Sequence, residues 1–105
     1  MIIIHIICKE ESQAIEIADF LIDKKLILDA VVLDRVSIRE KNRQGKFVTI
    51  RQALMMGKTK GLLFQEIDRQ LRLKFVENMP VLYSVPIVDM DWEQANVLIS
   101  ETAKV

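Results

Sequence analysis

The chain has one cysteine, Cys8, so no intrachain disulfide can brace it, and a lone thiol suits a reducing compartment such as the cytoplasm. It has one histidine, His5. A single imidazole with nothing in the sequence to orient it yields no Ser-His-Asp or Cys-His arrangement, and no paired carboxylates stand out, so an enzyme is not expected. Two prolines and three glycines are too few for a flexible linker or a low-complexity tract. No charge of one sign dominates either. Fifteen Lys+Arg balance 15 Asp+Glu, so no global field recommends nucleic acid or an anionic membrane as partner. The opening run "MIIIHIIC" lacks a basic flank and is too short to span a bilayer.

What is present is apolar residue content. Half of the 105 residues are hydrophobic, although 29% are charged. A single domain over residues 1–105 buries about two thirds of its unfolded surface. That leaves more apolar surface than one small core covers, so a second buried surface, an oligomer interface, is expected.

The hydrophobic period changes along the chain. Ile2 to Cys8 is a β-branched run that reads as a strand buried on both faces. Ser12 offers a cap for a helix whose apolar stripe is Ala14, Ile15, Ala18, Leu21 and Ile22. From Ala30 the period is two, with Val36 and Ile38 alternating against Ser37 and Arg39. "KNRQGK" is a polar turn, and Phe47 to Met56 resumes extended structure with Val48, Ile50, Leu54 and Met56 on one side, which makes a long hairpin. Leu63, Phe64, Ile67, Leu71 and Phe75 mark a second helix, with Thr59 as its start signal and Gly57 and Gly61 easing the corner. "VLYSVPIVDM" is a fourth strand whose Pro86 points to a sheet edge or a bulge, and Asp91 with Gln94 resembles a capping box for a short last helix. The order is βαββαβ plus a helix, an α+β ferredoxin-like arrangement with a long hairpin between its second and third strands.

"MMGKTKG" contains the GKT that ends a phosphate-binding P-loop. The full pattern needs a glycine five positions earlier, where Gln52 stands, and Ala53 to Met56 suit a strand. No nucleotide site is expected there. Arg51, Lys58 and Lys60 are then solvated charge near a helix start.

Cys8 and His5 are the candidate metal ligands, as the only thiol and the only imidazole. Three residues apart on a strand, they point to opposite faces, so one side of a sheet cannot receive both. The five methionines read as core filling, and Asp91 and Glu93 read as helix capping.

Taken together, "MIII", "LIDKKLILDAVVL", the hairpin, Lys58-Thr59, "VLYSVPIVDMD" and "LISETAKV" resemble the CutA divalent-cation-tolerance proteins, small ferredoxin-like domains related in architecture to the PII proteins. The resemblance implies a homotrimer and a role in tolerance or binding of a divalent metal such as copper. The alternative it leaves open is a PII-like regulatory module that takes a small ligand at subunit clefts. Where that family has an Ala-Cys pair this chain has Ala30-Val31, and where it has His-Pro-Tyr this chain has "NMPVLY".

Overall fold

The structure is a computed structural model that describes residues 1–104. The elements run β1 (Ile2–Cys8), α1 (Glu11–Asp23), β2 (Ala30–Lys41), β3 (Phe47–Thr59), a 3₁₀ turn (Gly61–Leu63), α2 (Phe64–Lys74), β4 (Val81–Pro86) and α3 (Trp92–Glu101). Four strands form one sheet in the order β2-β3-β1-β4, with every neighbouring pair antiparallel. This is the ferredoxin-like βαββαβ. Pro86 lies at the end of an edge strand, where its missing N–H costs no ladder bond.

The core fills the space between one sheet face and the first two helices. Ile4, Ile6 and Cys8 of β1 and Ala53 and Met55 of β3 meet Ala14, Ile17, Ala18 and Leu21 of α1 and Ile67 and Leu71 of α2. The alternate residues Ile3, His5 and Ile7 are only half-buried, so β1 is not sealed on both faces as its composition suggests. The stripe on α1 also differs from expectation. Ile17 takes a core position, and Ile15 and Ile22 are exposed. The helix begins at Glu11, one residue before the expected cap, so Ser12 sits inside the first turn. Gln13 does the local work instead, its Oε1 accepting the Lys9 N–H at 2.7 Å. At α3 one half of the expected capping box forms: the Asp91 carboxylate accepts the Gln94 N–H at 3.1 Å.

Gly57-Lys58-Thr59 is not a strand-to-helix corner. β3 runs on through Thr59, pairing Gly57 with Ile4 and Thr59 with Ile2. The triplet is a seam against which the link between α1 and β2 docks. The buried Thr59 hydroxyl donates to the Leu26 carbonyl at 2.6 Å, and the Leu28 N–H donates to the Lys58 carbonyl at 3.0 Å. Gly57 permits the approach, because a Cβ there would lie 2.9 Å from Ile27 Cδ1 and 3.2 Å from the Asp29 carbonyl.

The molecule is elongated, 48 × 29 × 21 Å. The cause is the hairpin: residues 47–52 of β3 pair with β2 alone, beyond the last partner of β1.

Candidate functional site: the helix-free face of the sheet

A β-strand sends successive side chains to opposite faces, so the register fixes what the uncovered face carries. The residues of β1 that point away from the helices are Ile3, His5 and Ile7. Opposite them stand Lys58, Met56 and Leu54 on β3, and Val85, Tyr83 and Val81 on β4. Beyond β3, Met56 pairs with Val31 and Leu54 with Leu33 of β2. Apart from His5 and Lys58, with the Tyr83 hydroxyl, this array is apolar across all four strands. Val31 and Val81 remain more than half exposed (54% and 55%), and Leu33, Tyr83 and Val85 are exposed as well.

A bulge carries the same face out along the hairpin. Between Leu33 and Val36 the register slips, with Asp34 and Arg35 standing against one residue of β3. Arg35 takes a positive φ of 57°, and its N–H donates to the Asp34 carboxylate. The odd-numbered apolar residues Val31 and Leu33 and the even-numbered Val36 and Ile38 therefore share one face. Val36 stands opposite Gln52, and Ile38 opposite Ile50. Without the extra residue, Val36 and Ile38 would turn to the other side.

Two polar features interrupt the array. His5 Nδ1 lies 3.1 Å from the Tyr83 hydroxyl, and the rings meet edge to face with centroids 5.1 Å apart. Lys58 reaches Asp29 at 3.6 Å, closing the row that contains Ile3 and Val85. Ile3, Val31, Met56 and that ion pair line a shallow pocket on the face.

The other sequence candidates lie apart from one another. Cys8 faces the helices and is fully buried, and burial pushes its thiol up to about 11. His5 faces the opposite way, so β1 itself separates the two. Among the described residues no group of three His, Cys, Asp or Glu side chains is placed to hold a metal ion. Asp91 is engaged in capping α3. Lys60 donates to the Thr102 and Ala103 carbonyls, which pins the segment after α3, and Arg51 donates to the Ser37 hydroxyl. Reading residues one strand at a time missed Tyr83 and Met56 as neighbours of His5. The period-two set Val81, Tyr83, Val85 carried part of that signal, but pairing partners come only from the register.

No protein-family model and no curated protein sequence matches the chain. Solved structures do match it in shape. CutA1 from Oryza sativa superposes with a TM-score of 0.88 at 16% identity, covering 99% of this chain and 94% of that one. A CutA1 variant from Pyrococcus horikoshii gives 0.87 at 20% identity over 99% and 100% of the two chains. The divalent cation tolerance protein from Thermus thermophilus gives 0.85 at 19% identity over 98% and 100%. Close superposition over nearly the full length of both chains, at identities this low, establishes architecture: the chain has the fold of the CutA1 divalent-ion-tolerance proteins.

Proposed function

We propose that this chain is a non-enzymatic, CutA-like protein that assembles as a homotrimer through the helix-free sheet face and the hairpin. Its role would lie in tolerance or binding of a divalent metal such as copper. The observation that carries the reading is the shared fold over essentially the whole of both chains. An apolar sheet face with no second layer supports the assembly, because monomeric proteins rarely leave so continuous an apolar patch in water. The long β2 edge supports it too, since an unpaired edge strand needs a cover. Closed cyclic symmetry ends the growth that an open edge would otherwise allow. The number three comes from the CutA resemblance. Among the described residues no helix is long and apolar enough to cross a membrane. The cytoplasm is favoured by the lone reduced thiol, while a related structure from Archaeoglobus fulgidus is described as periplasmic.

Of the two proposed metal ligands, His5 is the accessible one and Cys8 the shielded one. A second reading, a PII-like module holding a small ligand between subunits, is favoured by the lack of a three-ligand cluster within one described chain. Titration calorimetry separates them. Cu(II) or Zn(II) heat that saturates and falls in His5→Ala supports metal binding. No heat with any divalent metal, beside saturable heat with a small anion or nucleotide, overturns it in favour of the second reading.

A further inference from the structure

We propose that the outer part of the β2–β3 hairpin binds single-stranded nucleic acid, with phosphates on a row of cations and a base on Phe47. This goes beyond the proposed role and does not rest on assembly. Fifteen cations balance 15 carboxylates over the whole chain, but the balance is not local. Residues 35–51 hold six of the cations (Arg35, Arg39, Lys41, Arg43, Lys46 and Arg51) and one of the carboxylates, Glu40. The remainder of the chain therefore carries an excess of five carboxylates. A net charge of zero here describes an acidic body with a basic arm, and the arm has a field of its own.

Register sorts the arm into two faces. Val36, Ile38, Val48 and Ile50, with Glu40 and Gln52, continue the helix-free face. Ser37 stands opposite Arg51, Arg39 opposite Thr49 and Lys41 opposite Phe47, and these six turn the other way. Ala53 and Met55 follow the same parity into the core, but out along the hairpin all six are exposed. Arg43 and Lys46, also exposed, extend the cationic row into the turn. This face points away from the apolar array, so covering that array leaves it open.

Solubility asks for charge of mixed sign, whereas one sign occupies this face. Among the described residues Arg39, Lys41, Arg43, Lys46 and Arg51 form no ion pair, unlike Arg35, which reaches Asp34. Arg39 and Arg51 each donate one hydrogen bond across the ladder, to the Thr49 and Ser37 hydroxyls. That aims both guanidinium groups and leaves their other N–H groups for phosphate oxygens. Phe47 is 67% exposed, although Arg39 Cζ lies 5.6 Å and Lys41 Nζ 5.1 Å from its ring centroid. An exposed ring bordered by cations suits a single strand, whose unstacked bases can lie on it, better than a duplex, which hides its base faces. A lipid surface gains little here, since Phe47 is the one apolar side chain on this face of the hairpin.

Fluorescence anisotropy of a labelled oligothymidylate of about 20 nucleotides tests this, with circular dichroism to verify the fold of each variant. With about four phosphates engaged, affinity should fall about 50-fold between about 50 and 200 mM salt. Arg43→Glu together with Lys46→Glu should weaken binding by about tenfold or more and flatten that salt dependence. Phe47→Ala should weaken it about tenfold and keep the salt dependence. Lys24→Glu with Lys104→Glu makes the same charge change beside Leu26, at the other end of the sheet, and should cost less than about threefold. No saturable binding at about 50 mM salt overturns the inference. So does full binding in the Arg43 and Lys46 variant, or an equal loss in the Lys24 and Lys104 variant. Duplex bound as tightly as single strand, or Phe47→Ala bound as tightly as wild type, overturns the assignment to a single strand. Binding to vesicles of anionic phospholipid but not to the oligonucleotide overturns it in favour of a membrane.

Discussion

Replacing Thr59 by valine keeps the side chain's shape and removes one hydroxyl. That hydroxyl is fully buried and donates to the Leu26 carbonyl at 2.6 Å, and Leu26 is itself buried. The variant leaves the carbonyl without its donor, which costs about 1–3 kcal/mol. The new methyl returns at most about 0.8 kcal/mol of burial. A net loss of about 1–2 kcal/mol is expected. With a urea slope near 2 kcal/mol/M, the unfolding midpoint should fall by roughly 0.5–1 M. Midpoints should be compared at one fixed protein concentration, because assembly stabilises by mass action. Lys58→Ala is the contrast. Its ion pair with Asp29 is more than a third exposed on both sides, so its loss should cost no more than about 1 kcal/mol. A midpoint unchanged in Thr59→Val, or a larger loss in Lys58→Ala, would refute the view that this triplet is a docking seam. Nucleotide binding lost in Lys58→Ala would refute it from the other side.

Arg35 holds a left-handed backbone at the bulge, so Arg35→Gly should raise stability by about 0.5–1 kcal/mol, read as a higher urea midpoint. Cys8 is buried with its thiol raised to about 11, so the native protein should resist an aromatic disulfide reagent at neutral pH and react fully once unfolded. Hydrogen bonds from Arg69 and Gln70 hold the Glu66 carboxyl down to about 2. A carboxyl depressed on folding contributes stability that is present above about pH 4 and lost as pH falls toward 2. Glu66→Gln should flatten that acid limb of the stability profile, and an unchanged limb would count against the contact.

Element order was legible because hydrophobic period changes with secondary structure. The hairpin and Leu63–Leu71 carry periods that one element satisfies and the other does not, whereas Ile2–Cys8 reads as a strand from its β-branched composition and short length. Boundaries and faces were less legible. Ile15 and Ile22 fit the α1 stripe by spacing as well as Ile17 does, and only the angle at which the helix lies on the sheet chooses between them. Thr59 looked like a helix start because its hydroxyl can cap one, yet a tertiary partner, Leu26, takes that hydroxyl inside the strand. The bulge at Asp34 and Arg35 was not legible, because it shows only in the pairing of Leu33 with Leu54 and of Val36 with Gln52. His5 and Cys8 were separable from the sequence, since an odd spacing on a strand fixes opposite faces. The partners of His5 were not, because Tyr83 and Met56 lie far along the chain and meet it only through register.

Copies of the chain that cover the helix-free face must show in the mass of the assembly in solution. Sedimentation equilibrium at micromolar concentration and neutral pH should return three times the 12.2 kDa chain mass. A mass of two chains would contradict the number three and leave the covered face standing. A stable species of one chain mass, with Val31, Leu33 and Val81 in water, would contradict the claim itself.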